Sequence, residues 1–299
     1  MTQKPIVVQV DGGIGRVICS LPALEQLSKK RRVIVLTSFP EVFFNNPCIY
    51  KAYNLNREYL WDDVIKHGEF VYPEPYFNHM YYNQKHHLIQ SFNYILTGKA
   101  GSVTTGSICL THDEKVWASE FITTRRQEFE GKKIVLLQCF GSGAKIEDNK
   151  ICDSSYRSLP TEVVDKICEN TNHLYINASH IHMNYANVWQ QDFTTRQLIA
   201  LTAYCDFIVS VDSFLIHAAA VFNKKSVVFF GGTDLRNLGY PDNIIIKRQG
   251  YPKNYVPNRF SGFVDCNKGA LEFDDEEMES ILKTINEVDS KEVDKSSDQ

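Results

Sequence analysis

The segment DFIVSVDSFLIHAAA (residues 206–220) decides the fold of this chain. Its apolar, β-branched first part predicts a buried strand, and its second part predicts a helix that begins directly after Asp212-Ser213. The next residues repeat this order, because the apolar run KSVVFF leads into Gly231-Gly232-Thr233. Strands that pass straight into helices are typical of a parallel α/β sheet. We therefore predict neighbouring parallel strands whose carboxyl ends meet at one edge of a sheet.

The amino-terminal part of the chain begins in the same way. PIVVQV (5–10) predicts a strand, and DGGIG (11–15) follows it as a glycine loop. Apolar residues then recur at helical spacing over residues 18–27, and VIVLTS (33–38) predicts the next strand. This order marks the start of a second doubly wound α/β unit.

Two such units predict two Rossmann-like domains with doubly wound parallel sheets, facing each other across a cleft. We place the amino-terminal domain at residues 1–130 and the carboxy-terminal domain at 131–289, because Glu130-Gly131 interrupts a helical segment before the next strand. Residues 290–299 (SKEVDKSSDQ) are polar, and we predict a disordered acidic tail there.

Composition narrows the class of protein. Hydrophobic residues make up 43% and charged residues 23% of the 299 residues, as in ordinary globular proteins. The net charge of -4 argues against a strongly basic nucleic-acid-binding protein. No apolar run reaches the roughly 20 residues that span a bilayer, and the first residues lack the apolar core of a signal peptide. The eight cysteines include no C-x-x-C pair, so we expect reduced thiols in a cytoplasmic protein and no metal centre.

The predicted helix start after Asp212-Ser213 is a candidate phosphate site. Free N–H groups and the helix dipole at this point favour an anion. Asp212 and Ser213 could cap the helix or orient a hydroxyl, and His217 in the first turn could donate to a phosphate oxygen. The alternative is a plain helix cap with a buried core histidine. Gly231, Gly232 and Thr233, after the next strand, add a second loop suited to an anion.

The first glycine loop is a second candidate. Gly12, Gly13 and Gly15 would let a phosphate or an acceptor approach the backbone, or could simply form a tight turn. The loop is not a full G-x-G-x-x-G, and no acidic residue follows about 20 positions later, which argues against an NAD-dependent oxidoreductase. Asp11 and Arg16 bracket the loop and are predicted to face the cleft, with Asp11 as a candidate general base.

At these positions the sequence resembles the ADP-heptose:lipopolysaccharide heptosyltransferases of glycosyltransferase family 9. VDGGIGRVICSLPALEQL (10–27) is similar to that family's opening. SVDSFLIHAAAVFNKKSVVFFGGTD (210–234) is similar to its donor signature, D-[ST]-x-x-x-H-x-A-A followed by a strand and a glycine turn. LLQCFGSGAK (136–145) and YRSLPTEVVDKI (156–167) lie between them in the family's order.

The resemblance implies a GT-B fold and an inverting, metal-independent transfer from a nucleotide-diphosphate sugar, without a cofactor. It implies that the nucleotide sugar binds the carboxy-terminal domain and the acceptor binds the amino-terminal one. Asp212, Ser213 and His217 would contact the donor. Further phosphate contacts would come from four residues: Ser142, Gly143, Lys145 and Arg157.

The sequence departs from the family in three places. Arg16 occupies the position after the loop glycine where the family has an acidic residue that is taken as the base, so Arg16 joins Asp11 as a candidate catalytic residue. Phe214 replaces a residue that is usually glycine, which would crowd the donor sugar. The aromatic, histidine-rich stretch at 50–110 matches no segment of the lipopolysaccharide enzymes. Because of these departures, neither heptose as the donor sugar nor lipopolysaccharide as the acceptor is carried over.

The acceptor is left open among several classes. The first is a bacterial surface glycan or lipid core, and the second is hydroxymethylated (hydroxymethylcytosine) DNA, modified by a bacteriophage enzyme in an infected host cell. Protein glycosylation and a degenerate nucleotide-sugar-binding protein without transfer activity are further options. Candidate acceptor residues are aromatic, imidazole or basic side chains of the first half: Tyr72, Tyr76, Phe77, Tyr81, Tyr82, His86, His87, Lys29, Lys30, Arg31 and Arg32.

Overall fold

The computed structural model of the chain describes residues 4–148, 150–153, 155–251 and 268–288. The tail predicted at 290–299 lies outside these residues. The strands are β1 (Ile6–Gln9), β2 (Val33–Thr37), β3 (Lys51–Asn54), β4 (Glu69–Val71), β5 (Lys133–Gln138), β6 (Lys145–Glu147), β7 (Lys150–Cys152), β8 (His173–Asn177), β9 (Val188–Trp189), β10 (Phe207–Val211), β11 (Ser226–Phe229) and β12 (Asn243–Ile246). The helices are α1 (Ile14–Ser28), α2 (Leu60–Asp63), α3 (His79–Tyr82), α4 (Leu88–Thr97), α5 (His112–Glu128), α6 (Thr161–Asn170), α7 (Thr195–Tyr204), α8 (Phe214–Val221), α9 (Leu235–Leu238) and α10 (Asp275–Glu287).

The described strands form two parallel sheets, which confirms the predicted fold class. The first sheet has the order β3-β2-β1-β4, and the second has the order β12-β11-β10-β5-β8-β9. All the pairs within these two sheets are parallel. A short antiparallel hairpin, β6-β7, stands apart from both.

Burial explains the apolar runs in the sequence. Every residue of β2 and of β10 is buried, since helices cover both faces of a parallel sheet. The strand predicted in the first part of the 206–220 segment ends at Val211, and Ser213 caps α8. The strand in the apolar run KSVVFF (225–230) spans Ser226–Phe229 and ends before the glycines.

The predicted domain boundary falls between α5 and β5. Glu130 and Gly131 both have positive φ there, 53° and 77°, which ends the helix and turns the chain. The residue limits 1–130 and 131–289 themselves stay predictions. The irregular stretch predicted at 50–110 contains β3, β4 and the short helices α2, α3 and α4.

The two halves share a hydrophobic core. Val17 and Leu21 of α1 belong to the same buried cluster as Ile216 of α8 and Val228 of β11. Helices α1 and α8 pack directly on each other. The carboxyl ends of the central strands of both sheets therefore approach each other. In the described part of the chain, no helix combines the length and the hydrophobicity that a bilayer-spanning segment needs.

Candidate functional site

A cavity of about 330 Å³ lies where the carboxyl ends of β1 and β2 face those of β5 and β10. Predicted site residues from both halves line it. The first half provides Gly13, Gly15 and Arg16, and the second half provides Ser142, Arg157, Asp212, Ser213 and His217. The fold therefore brings these loops, which are far apart in sequence, to one site.

Two features characterise the glycine loop of the first half: one glycine with a left-handed backbone conformation and one that closely approaches α8. Gly12 has a φ of +84°, a left-handed conformation that favours glycine. Gly13 immediately precedes α1, and a Cβ there would meet open space. A Cβ on Gly15 would lie 2.6 Å from Cδ2 of His217. The first turn of α1 is therefore as close to α8 as a glycine allows.

Arg16 is buried between two carboxylates. Its Nη1 lies 3.1 Å from Oδ1 of Asp11, and its Nη2 lies 3.3 Å from Oε2 of Glu74. The hydroxyl of Tyr72 donates to Oδ2 of Asp11 over 2.6 Å, and this hydrogen bond raises the pKa of Tyr72. Arg16 lines the cavity, whereas Asp11 does not belong to its described lining. The predicted base is thus held by a buried cation and by a phenol at the side of the cavity.

The start of α8 is built as a helix cap beside a buried carboxylate. Oγ of Ser213 accepts a hydrogen bond of 3.2 Å from the N–H of Leu215. Asp212 is 3% exposed, and its Oδ2 lies 3.7 Å from Nη1 of Arg157. Burial raises the pKa of Asp212, while Arg157 and the hydroxyl of Thr233 act in the opposite direction. The helix N-terminus and the guanidinium together make this edge of the cavity suited to an anion.

The loop that carries Arg157 is ordered around one carboxylate. Asp153 accepts hydrogen bonds from the N–H of Ser155 and from the hydroxyl of Ser158, at 2.9 and 2.6 Å. Oγ of Ser158 in turn accepts from the N–H of Gly141, after β5. Burial alone would raise the pKa of Asp153, but these hydrogen bonds hold it below its ordinary value. Arg157 therefore projects into the cavity from a fixed loop.

His217 is buried and neutral. Its Nδ1 lies 2.9 Å from the hydroxyl of Tyr240 and 3.3 Å from Sγ of Cys19. Burial lowers the pKa of His217 to about 3, and the positive charge of Arg157 adds to this effect. The ring is therefore uncharged at neutral pH, with Nδ1 directed away from the cavity wall toward buried partners.

The second glycine turn faces Ser155 and Tyr156. A Cβ on Gly231 or Gly232 would collide with the carbonyl oxygens of Tyr156 and Ser155. The N–H of Gly232 donates to the carbonyl of Tyr156 over 2.8 Å. These glycines lie outside the cavity lining, and Thr233 lies beside Asp212. Their position accounts for the glycines as contacts between loops, and a role toward a donor stays a prediction.

Other predicted residues do not belong to the cavity lining. Gly143 and Lys145 are exposed, Lys145 being the first residue of β6. The basic segment 29–32 precedes β2 at the amino end of the first sheet, opposite to the edge that faces the cavity. There Arg31 pairs with Glu69 over 2.5 Å.

The predicted aromatic and histidine group does not form one surface. The ring of Tyr76 lines the cavity, with the guanidinium carbon of Arg16 5.2 Å from its centroid. His87 is 3% exposed and packs against Tyr240, whereas Phe77 and Tyr82 are 56% and 38% exposed. Of this group, Tyr76 is the side chain that the described cavity uses directly.

Some lining residues escaped sequence reasoning. Gln138, the last residue of β5, is 8% exposed, and its side-chain oxygen accepts no hydrogen bond from the described residues. A sequence feature that could have identified Gln138 is its position, because it is the polar residue at the end of the apolar run KIVLLQ. Phe39 and Leu88 also line the cavity, and Tyr240 lies behind it, but no local pattern marks them.

The comparisons with known proteins give the fold. No family model and no curated protein sequence matches the chain. A glycosyltransferase family 9 structure from Veillonella parvula superposes with a TM-score of 0.58 at 13% identity, over 82% of this chain and 85% of that one. The iron-containing dodecameric glycosyltransferase TibC from enterotoxigenic E. coli gives 0.63 at 9% identity, over 95% and 77%. The E. coli ADP-heptose lps heptosyltransferase II gives 0.57 at 11% identity, over 94% and 99%. The chain therefore has the fold of these glycosyltransferase family 9 and heptosyltransferase structures.

Proposed function

We propose that the chain is a glycosyltransferase that moves a sugar from a nucleotide-diphosphate sugar to a hydroxyl acceptor. The observation that carries the proposal is the cavity that joins the start of α8 and Arg157 in one half to the glycine loop in the other. Its position agrees with the general rule that open α/β sheets bind ligands beyond the carboxyl ends of their strands.

The second half is suited to the donor. The first N–H groups of α8 and the Arg157 guanidinium would hold the diphosphate. Asp212 and Ser213, at the same helix start, would accept or donate hydrogen bonds to sugar hydroxyls. His217 would donate to a phosphate oxygen from its other ring nitrogen. We propose that these groups, without a metal ion, meet the charge of the leaving diphosphate.

The reaction would be a single displacement with inversion. The acceptor oxygen forms a bond to the anomeric carbon while the bond from that carbon to the diphosphate oxygen breaks. The acceptor proton passes to a carboxylate, and the leaving nucleoside diphosphate takes the electron pair. We propose Asp11 as this base, with Arg16 holding it in place.

For the acceptor we propose a glycan hydroxyl of a bacterial surface polysaccharide or lipid core. Tyr76 and Phe39 contribute aromatic side chains to the first half's side of the cavity, and sugars pack well on aromatic rings. Hydroxymethylcytosine in DNA is the alternative acceptor. The reaction would take place in the cytoplasm in either case.

A second candidate function is binding without transfer. The observation that favours it is the ion pair between Arg16 and Asp11, which holds the proposed base beside the cavity rather than in its lining. In this case the chain would bind a nucleotide sugar at α8 and leave it intact.

The test measures nucleoside diphosphate release from UDP-, GDP- and ADP-sugars, with an acceptor glycan mixture or hydroxymethylcytosine DNA. We expect release with one donor, its loss in His217→Ala, and its survival in EDTA. His173→Ala is the matched control, because His173 is also buried but hydrogen-bonds to the carbonyl of Ile285, away from the cavity.

The outcomes separate the alternatives. DNA-stimulated release assigns the chain to DNA modification, and release with glycan alone supports the surface acceptor. Binding of a nucleotide sugar with no release from any donor favours the binding protein. Strict dependence on a divalent metal would contradict the proposed mechanism.

A further inference from the structure

A buried polar cluster lies directly behind the cavity wall. Cys19 of α1, His217 of α8 and Tyr240, after α9, meet there, and each is at most 8% exposed. The ring of His87, which caps α4, packs on Tyr240 with a centroid distance of 5.0 Å. The cluster thus joins side chains of both halves, and only His217 reaches the cavity.

The contacts of Tyr240 restrict the tautomer of His217. The phenol hydrogen has two buried acceptors within reach, Nδ1 of His217 at 2.9 Å and Sγ of Cys19 at 3.8 Å. An imidazole nitrogen at the shorter distance is a much better acceptor than a thiol sulfur at the longer one. Donation from Tyr240 to Nδ1 places the single ring proton on Nε2.

The opposite assignment leaves a hydrogen without a good partner. With the proton on Nδ1, that nitrogen would donate to the Tyr240 oxygen, and the phenol hydrogen would have only the distant sulfur of Cys19. A buried hydroxyl without a hydrogen bond is unfavourable, because it has given up its hydrogen bonds to water and gained none in return. The short contact therefore favours Nε2–H.

We propose that Tyr240 is a positioning residue, which holds His217 as the Nε2–H tautomer so that the ring donates a hydrogen bond into the cavity. The inference rests on the proposed function only for the identity of the acceptor, a phosphate oxygen of the donor. A neutral donor at this point supplies a hydrogen bond to an anion without depending on protonation of the ring.

The first experiment reads the tautomer directly in the protein without ligand. ¹⁵N NMR of histidine-labelled protein distinguishes the protonated from the unprotonated ring nitrogen, and the His217 signals are identified by their loss in His217→Gln. We expect Nε2–H in the wild type and a mixture of tautomers in Tyr240→Phe. The control is Tyr175→Phe, which removes another buried phenol, hydrogen-bonded to Thr171 over 2.7 Å, and should leave His217 unchanged.

The second experiment measures the binding of ADP, UDP and GDP by calorimetry. Tyr240→Phe should weaken binding of the preferred nucleotide about 3- to 10-fold, and Tyr175→Phe should not. The amide of His217→Gln can place an N–H near the Nε2 position, so it should retain more affinity than His217→Asn. Tyr240→Phe should then add little in the His217→Gln background.

The two proposals fail in different ways. A wild-type Nδ1–H tautomer, or a tautomer unaffected by Tyr240→Phe, overturns the positioning role whatever the protein binds. The expected tautomers without binding of any nucleoside diphosphate would support the positioning role and overturn the proposed function.

Discussion

Arg16 changes the chemistry of the glycine loop. It stands where the family that the sequence resembles has an acidic residue, and its side chain is only 2% exposed. The structure explains how a guanidinium is tolerated there, since Asp11 and Glu74 flank it at 3.1 and 3.3 Å. Two carboxylates and one guanidinium leave one negative charge in the group, so the loop keeps an acidic character despite the arginine.

Replacing Arg16 should destabilise the fold. In Arg16→Met, Asp11 and Glu74 lose their buried counter-charge, and we expect the free energy of unfolding to fall by about 2–3 kcal/mol. This loss is smaller than the roughly 3–5 kcal/mol expected for a fully buried pair, because the Asp11 side chain is 32% exposed. Urea unfolding measures the change.

The control for this prediction is an exposed pair. Arg57 and Asp63 lie 2.9 Å apart with side chains 41% and 49% exposed, so Arg57→Met should cost less than about 1 kcal/mol. Equal losses in the two variants would show that Arg16 is not held as a buried ion pair.

At the scale of elements, the site is formed where the N-terminal ends of α1 and α8 come together. The first turn of α1 lies against the first turn of α8. Each helix follows a strand after a connection of at most four residues. Ser213 caps α8 with its side chain, whereas Gly13 precedes α1 without a side-chain cap. The same short connections that make parallel sheets compact thus place two N-terminal helix ends at one cavity.

Removal of the α8 cap should affect stability and binding together. Ser213→Ala deletes the hydroxyl that accepts from Leu215, at a cost of about 1 kcal/mol in the free energy of unfolding. Because Ser213 also lines the cavity, nucleoside diphosphate binding should weaken about 3- to 10-fold. Thr194→Ala removes a comparable cap from α7, outside the cavity, and should cost similar stability without affecting binding. Weaker binding in both variants would mean that the effect comes from loss of stability.

The contact between α1 and α8 predicts a difference between two glycines. In Gly15→Ala the new Cβ would lie 2.6 Å from the His217 ring, so the helices must separate. We expect a loss of about 1–3 kcal/mol in the free energy of unfolding, with weaker nucleotide binding. Gly13→Ala meets open space at a φ of −77° and should cost less than about 1 kcal/mol. Thermal unfolding and calorimetry of both variants test this, and a silent Gly15→Ala would place the helices farther apart than described.

For the whole molecule, local patterns predicted the sheets but not how they meet. Strands buried on both faces leave unbroken apolar runs such as residues 133–139, and the loops after them are marked by glycine or capping residues. The contact of Gly15 with His217, and the hydrogen bond from Tyr240, join residues about 200 and 23 positions apart. Such contacts depend on the packing of complete elements, so no short window of sequence contains them.

The position of Asp11 likewise depends on contacts that no short window of sequence contains. The sequence predicted that Asp11 and Arg16 would both face the cleft, because they bracket one loop. Arg16 lines the cavity, while Asp11 lies to the side of it, bonded to Tyr72. The position of Tyr72 follows from β4 pairing with β1, a pairing that the irregular 50–110 stretch did not reveal.

Because the two halves share a core, the dependence of stability on acidic pH tests whether they unfold as one unit. His87 from the first half and His217 from the second are buried beside Tyr240, and burial lowers the pKa of each to about 3. Unfolding returns both to about 6.5, so the unfolded chain binds more protons below that pH. The stability that the neutral rings provide is therefore complete above pH 6.5 and is lost as pH falls toward 3.

For each of these two histidines, we expect the free energy of unfolding to fall by about 2 kcal/mol when the pH is lowered from 7 to 5. Burial lowers the pKa of His86 and His173 in the same direction, whereas Asp212, whose pKa is raised, opposes the trend. Urea unfolding at the two pH values should show one transition, which moves to lower urea at pH 5. In His87→Gln, the part of the decrease in unfolding free energy that these two histidines cause should be about half as large. His182→Gln, which replaces a histidine that is 71% accessible, is the matched control for the substitution itself. Two separate transitions, only one of them sensitive to acid, would show that the halves do not unfold as one unit, because both histidines lie in the core that joins them.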